Sequence, residues 1–347
     1  MVKIKEPLVG VDVGYESLKV VQVNHATTPS VFMSANFLAV PPRALIKNLK
    51  EDKVALATAI RKALDEAQPK RITSRYAVSG LPESRVFTKV IEMPAMQEEE
   101  LAEAVPYEAG RHIPIPTEET YLDWAPLGLS NSKTIDVLVI GAPKILVEIY
   151  LEIFRNAGLE LIALETKPIA AGRALTQSSE SEPILILDIG AEATGISIFD
   201  QGNIKFTYTT PHGGNTLTKA VAHFMKISIE QAEKLKREHG LRKDTAEGAK
   251  ILEAIGPILK DIIDEINNAI KFFQNRAGAA AKIGQIRLCG GGAKTPQLAN
   301  YVNQSTGIKT DIGNPLINLN RGSIKKFPQE DLTRYTTAIG LALRESF

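Results

Sequence analysis

The sequence predicts an α/β protein built twice, as two related lobes, with a small α+β subdomain inserted in the first. Three observations carry this. Gly10-Val-Asp-Val-Gly14, followed by strand-like runs, recurs as Leu187-Asp-Ile-Gly-Ala191 in the same setting, and such an echo marks a duplicated unit. Strand-like and helix-like segments alternate along the chain. A length of 347 residues accommodates two domains at roughly 100–200 residues each.

The elements follow in order. Leu8–Val13, Ser17–Val23 and Val31–Val40 are short apolar-rich runs separated by polar or Pro-bearing turns, the pattern of three strands. Asp52–Gln68 places Val54, Leu56, Ile60, Ala63, Leu64 and Ala67 mainly at helical spacing, and Pro69 stops it. Tyr76–Leu81 is a strand. The texture changes at Arg85. Arg85–Met93 predicts a strand, and Gln97–His112 a helix whose acidic start, Glu98-Glu99-Glu100, suits the positive end of a helix dipole. Pro106 within it predicts a kink or a division. Tyr121–Leu127 and Ile135–Gly141 predict strands, and Pro143–Ala157 an amphipathic helix stopped by Gly158. These make the insert, residues 85–161. Leu159–Glu165 resumes a strand, a helix runs through Leu175, and the polar segment Gln177–Pro183 is the candidate link. Residues 1–84 and 162–180 thus form the first lobe and 181–347 the second. The second opens with strands Ile184–Asp188, Gly195–Phe199 and Ile204–Thr210. Helices Asn215–Met225, Ser228–His239 and Thr245–Asn275 follow, then strand Ile286–Cys289 and helices Thr295–Ser305 and Asp331–Arg344.

Composition excludes several classes. Apolar residues at 44% and charged residues at 23% are those of an ordinary globular chain. Lys plus Arg number 41 against 40 Asp plus Glu, and a net charge of +1 provides no global field for nucleic acid. One cysteine excludes a disulfide framework and a Cys-rich zinc module; Cys289 reads as a small buried residue. His25, His112, His212, His223 and His239 have no metal-ligand spacing. No serine lies in a Gly-x-Ser-x-Gly context. The start, Met1-Val-Lys-Ile-Lys-Glu6, has no signal-peptide pattern, and no apolar run approaches about 18 residues, so direct membrane insertion is not expected.

The repeated Asp-x-Gly has a chemical use. Glycine at the end of a buried strand lets the backbone turn so that successive N–H groups point at phosphate oxygens, and the Asp carboxylate suits a hard cation such as Mg²⁺. One copy is an ordinary turn; two in matching strand contexts favour a phosphate clamp. Ile286-Arg-Leu-Cys-Gly-Gly-Gly-Ala-Lys-Thr-Pro296 adds a strand, three glycines and a helix start, which fits close backbone approach to a nucleotide. A Walker A motif and a Rossmann fingerprint are absent.

This order of motifs resembles the actin-like (RNase H-like) ATPase superfamily and, within it, the type IV pilus assembly PilM family, related to FtsA. Val9–Val21 resembles the first phosphate motif, Leu187–Gly195 the second, Ile286–Pro296 the adenosine motif, and Ala232-Glu-Lys-Leu-Lys-Arg237 the helix that touches adenosine in several relatives. Val105–Pro116 with Tyr121-Leu-Asp-Trp124 resembles the PilM insert. The resemblance implies ATP and Mg²⁺ as ligands, with Asp12 and Asp188 facing each other across a cleft and organising the metal through water. Backbone groups of Gly14, Tyr15, Glu16 and Ser17, and of Gly190, Ala191, Glu192, Ala193 and Thr194, would wrap the phosphates, with hydroxyls from Ser17 and Thr194. Gly213, Gly214 and Asn215 would lie near ribose and phosphates, and Gly291, Gly292, Ala293 and Lys294 would carry the adenosine motif. Lys19 either approaches the nucleotide or is a solvated strand lysine. Glu233 and Lys236, on one helical face, either bracket ribose and base or form a surface ion pair.

Two positions depart from the family pattern. Tyr15 stands where many relatives have Thr or Ser, which leaves only its backbone N–H for a phosphate. Lys167 precedes Pro168 where hydrolysing relatives often place Glu or Gln to orient water. A charged lysine accepts no proton, so slow or absent ATP hydrolysis is expected, with Glu165 as a substitute base and Lys167 as a γ-phosphate partner. By the same resemblance the chain is a cytoplasmic ATP-binding scaffold, peripheral to the inner membrane. It would dock the N-terminal tail of a bitopic PilN-like protein through its insert, beside other platform and motor proteins, with homo-oligomers left open. A small-molecule kinase on the same fold and an FtsA-like filament-forming division scaffold are the alternatives. The ending Arg344-Glu-Ser-Phe347 carries no basic amphipathic extension, which argues against self-anchoring.

Overall fold

The computed structural model describes residues 7–39, 52–129, 133–278, 281–320 and 329–344. The chain divides into two units. The first comprises residues 1–174, 315–330 and 335–347, and the second residues 175–314 and 331–334.

The first unit is built on a five-stranded sheet. β1 (Leu8–Val13), β2 (Ser17–Asn24), β3 (Val31–Ala39), β4 (Tyr76–Leu81) and β8 (Glu160–Thr166) lie in the order β3-β2-β1-β4-β8. β1 is buried along all six residues, as a continuous apolar run predicts for a central strand. β1, β2 and β3 pair antiparallel, whereas β4 and β8 join in parallel. Helix α1 (Lys53–Asp65) covers one face with Leu56, Ala57, Ile60, Ala63 and Leu64. The insert adds a second sheet, β5 (Phe87–Pro94), β7 (Thr134–Pro143) and β6 (Thr120–Leu129), in the order β5-β7-β6. Its own core joins Ile91, Met93, Val137 and Val139 to Leu101, Val105 and Ala109 of α2 (Glu98–Ala109). Pro106 sits inside α2 without dividing it, near the C-terminal end of the helix.

Two helices sit differently from their sequence assignment. α3 (Lys144–Asn156), placed with the insert by sequence, packs Leu146, Ile149, Tyr150, Ile153 and Phe154 into the main core beside α1. α9 (Thr336–Ala342), placed in the second lobe by sequence, packs on β1, β2 and β4 of the first unit. Glycine makes that approach possible. A Cβ on Gly10 would stand 2.0 Å from the carbonyl oxygen of Ala338, and one on Gly340 1.7 Å from that of Ala170 in α4 (Lys167–Leu175).

The second unit repeats the design. β9 (Ile184–Ile189), β10 (Thr194–Asp200), β11 (Asn203–Thr210), β12 (Gln285–Cys289) and β13 (Thr310–Ile312) lie in the order β11-β10-β9-β12-β13. Again three strands are antiparallel and two join in parallel, so the topology matches strand for strand. α5 (Gly214–Met225), α6 (Ile229–His239), α7 (Ala246–Ala277) and α8 (Leu298–Thr306) supply the helices. The long α7 buries Ile251, Ile255, Leu259, Ile262, Ile266 and Phe273, a stripe at helical spacing, over β9 and β10 residues. Among the described residues no helix is long and apolar enough to cross a membrane. The segment after Arg344, on which the reading of a missing tether rests, lies outside the described residues, as does Val40 at the expected end of β3.

Candidate functional site

The duplication extends to the turns. After β1, Gly14 N–H donates to the Ser17 carbonyl at 2.9 Å; after β9, Gly190 N–H donates to the Ala193 carbonyl at 2.9 Å. Both turns sit two residues past an aspartate, Asp12 and Asp188, near the end of the central strand of each sheet. Each unit therefore carries the same small loop at the same place in the same topology. The Gly14 and Gly190 N–H groups are spent on their own turns, contrary to the sequence expectation, which leaves the other amides of each loop to meet an anion.

In the first unit the electrostatics are unusual. Asp12 is 4% exposed, and each of its oxygens meets an ammonium group. Lys19 Nζ donates to Oδ2 at 3.0 Å, and Lys167 Nζ lies 2.8 Å from Oδ1 and also donates to the Val13 carbonyl at 3.1 Å. Lys19 is brought there because β2 pairs it opposite Asp12. Lys167 comes from the first position of α4, its stem passing Gly80, where a Cβ would lie 3.3 Å from Lys167 Cγ. Burial alone would raise the Asp12 pKa, but Lys167 and then Lys19 outweigh it and hold the carboxyl well below the usual range. Burial would lower that of Lys167, but Asp12 holds it above the usual lysine range. Lys19 is therefore not a solvated strand lysine. Tyr150 of α3 lies close enough for both charges to act on it; its hydroxyl is buried without a hydrogen-bond partner, and burial raises its pKa. Tyr15 turns its side chain away, its hydroxyl 3.1 Å from Ser84 Oγ. Glu16 and Ser17 are partly exposed at the turn.

Glu165 does not fit the role of substitute base. It is buried, Arg173 grips both its oxygens at 2.9 Å, and Arg344 pairs with Oε1 as well. Both of its oxygens are thus committed to guanidinium groups and are not presented to a ligand or a water. Arg173 also donates to the Gly340 carbonyl at 2.7 Å, so this cluster fastens α9 to the sheet.

In the second unit the loop and the start of α5 are knitted together. Gly214 N–H donates to the Gly190 carbonyl and Asn215 N–H to the Ala191 carbonyl, each at 2.8 Å, and Asn215 Nδ2 donates to Glu192 Oε1 at 2.8 Å. A Cβ on Gly213 would stand 2.4 Å from the Ala191 carbonyl oxygen, which makes glycine necessary there. Thr194 is fully buried and its hydroxyl donates to the His212 carbonyl at 2.6 Å. It holds the loop rather than offering a donor to a ligand, contrary to the sequence expectation. Lys236 is 5% exposed and its three protons have three acceptors: the Gly214 carbonyl at 3.0 Å, Thr218 Oγ1 at 2.7 Å and Glu233 Oε2 at 2.7 Å. This excludes a surface ion pair and makes α6 the brace of the Gly213–Asn215 turn. Burial would raise the Glu233 pKa, but its hydrogen bonds to Lys236 and Thr218 lower it.

The glycines after β12 close on Asp188. Gly290 has φ +81, and a Cβ there would stand 2.3 Å from Asp188 Oδ1. A Cβ on Gly292 would meet Ile189 Cγ2 at 2.3 Å. Ala293 is buried in the core, so it offers no side chain to a ligand, while Gly291 and Lys294 are exposed. Cys289 is buried in register with Asp188. Among the described residues no three His, Cys, Asp or Glu side chains gather as a metal cage. A metal organised through Asp12 does not fit its surroundings, because both oxygens already face ammonium groups. Sequence reasoning singled out Lys167 as a departure but had no signal for its partner, which only the parallel packing of β4 and β8 brings near.

Two five-stranded sheets of one topology, each ending in the same aspartate-glycine turn, define the actin-like ATPase fold. The chain belongs to the family of type IV pilus assembly protein PilM, whose model matches residues 10–346. It is 28% identical to a chain of a solved PilM-PilN type IV pilus biogenesis complex, with a TM-score of 0.82 and 99% of both chains covered. Cell division protein FtsA of Bacillus subtilis is 26% identical over 263 residues, 68% of this chain and 58% of that protein. The chain thus spans little more than half of that curated relative. MreB5 of Spiroplasma citri, solved bound to AMPPNP, shares the fold at 14% identity, with a TM-score of 0.55 and 97% of this chain and 95% of that one covered.

Proposed function

We propose that the protein is an ATP-binding scaffold of type IV pilus assembly that hydrolyses nucleotide slowly or not at all. It docks the N-terminal cytoplasmic tail of a PilN-like inner-membrane protein and sits in the cytoplasm, held at the inner membrane by that partner among other platform and motor proteins. The observation that carries the reading is the end-to-end likeness to the chain solved in a PilM-PilN complex. The paired Gly14 and Gly190 turns support the nucleotide half. Lys167 at the position before Pro168, already paired with Asp12, supports slow turnover, since it has no lone pair with which to take a proton from water.

The insert is the docking element in this reading. Its β6 is an outer strand of the three-stranded sheet, the kind of edge to which an extended peptide adds. Tyr121 on β6 and Tyr107 on α2 are largely exposed, with Lys144 and Arg111 over their rings. The kinase alternative gains nothing, because Glu165 is held by two arginines. Titrating a labelled synthetic PilN-tail peptide with the protein, by fluorescence anisotropy in saturating ATP, tests the docking. Saturable binding is expected, and a flat titration at high protein concentration would sink the docking role.

A further inference from the structure

The Asp12 cluster carries one negative and two positive charges, drawn from three elements: Asp12 from β1, Lys19 from β2 and Lys167 from α4. Its balance is therefore +1, with the Glu83 carboxylate only a weaker influence on Lys167, in a place where the lysine side chains are 12% and 19% exposed. A partly buried surplus charge is costly unless something of opposite sign meets it. The surplus stands directly behind the first phosphate-type turn: a Cβ on Gly14 would be 3.2 Å from Lys19 Nζ. The same turn holds Gly14 N–H to the Ser17 carbonyl, so its shape is fixed before any ligand arrives. Lys167 lies 2.8 Å from Oδ1 and also donates to the Val13 carbonyl, which sets its ammonium group beside the turn that begins at Gly14.

A divalent cation in this place meets the wrong field. Magnesium takes oxygen ligands in octahedral geometry, and its usual protein ligand is a carboxylate with free oxygens. Here both oxygens face ammonium groups, and a cation drawn to Asp12, even through water, would stand beside two like charges.

We propose that Lys19 and Lys167, held in place by Asp12, take over the charge-neutralising role of a divalent cation at the first phosphate turn, so that this chain binds a nucleoside triphosphate as the metal-free anion. The inference rests on the nucleotide reading of the preceding subsection and names the ionic form of its ligand. Asp12 is then a positioning residue for the two lysines. Phosphate oxygens draw Lys167 forward by charge-assisted hydrogen bonds while Lys19 keeps Asp12 neutralised.

The test is calorimetric titration of ATP into metal-stripped protein in excess EDTA and, separately, in excess magnesium. Affinities within about threefold of each other are expected, since the lysines supply the counter-charge in both buffers. Lys167→Met is expected to weaken binding in EDTA by about tenfold or more, and Lys167→Arg to retain most of it. The wild-type comparison stands without either variant, should one fail to fold. Binding in magnesium with none in EDTA would overturn the inference and leave the nucleotide reading intact. No binding in either buffer would overturn both.

Discussion

Asp12 shows how far one residue's role depends on its partners. Asp12→Asn leaves two mostly buried ammonium groups without a counter-charge, and the expected cost is about 3–5 kcal/mol in urea unfolding. The pH dependence has a definite sign. The folded pKa of Asp12 lies below its unfolded value of about 3.9, so its contribution is full above that pH and disappears as the pH falls through the folded value. The folded pKa of Lys167 lies above its unfolded value of about 10.4, so its contribution is full below that pH and is lost as the pH rises through the folded value. The pair's contribution to wild-type stability is therefore flat between about pH 4 and pH 10. In Asp12→Asn, by contrast, burial lowers the Lys167 pKa, so the difference between the two proteins narrows on the alkaline side; a difference that melts away as the pH falls from about 7 to about 4 would contradict the pairing. Lys236 offers a second residue-level test. Lys236→Met removes the hydrogen bond to the Gly214 carbonyl together with the contacts to Thr218 and Glu233 that aim the ammonium group at it, so the Gly214 and Asn215 amides should exchange with solvent faster while β9 amides do not. Unchanged exchange at those two amides would show that the turn holds itself.

At the scale of elements, the close approach of α9 to β1 makes a strong demand on sequence. Gly340→Ala would put a methyl 1.7 Å from the Ala170 carbonyl oxygen, and neither backbone can easily yield. A loss of about 1–3 kcal/mol or more is expected by thermal or urea unfolding, and a neutral result would mean that α9 packs elsewhere. That contact also marks where the sequence ceased to be informative. All but one of the strands of the two five-stranded sheets were visible as alternating or continuous apolar runs, and the helices as helical-period stripes, several of them ended by Gly or Pro. The echo of Asp12-Val-Gly14 in Asp188-Ile-Gly190 revealed the duplication, which the two sheets repeat strand for strand. The return of α9 to the first unit was not visible, because it depends on two glycines meeting carbonyls distant in sequence. Nor was β13, whose three residues are too short for a period and are fixed by pairing to β12. Within the candidate site, backbone roles followed from the glycines. The side-chain work of Thr194, Lys236 and Lys167 did not, since each is set by an acceptor from another element.

For the molecule as a whole, the two turns, the lysine before Pro168 and the likeness to a PilM chain support the proposal that ATP serves this protein as a ligand more than as fuel. A ligand that binds only the folded state raises stability by mass action, so saturating ATP should raise the melting temperature by an amount that grows with the logarithm of its concentration. The most direct test of the central claim is a titration of ATP into the purified protein with phosphate release followed in the same samples. Stoichiometric binding with negligible phosphate release over hours is the expected result. Turnover at the pace of an ordinary ATPase, roughly one per second or faster, would contradict it.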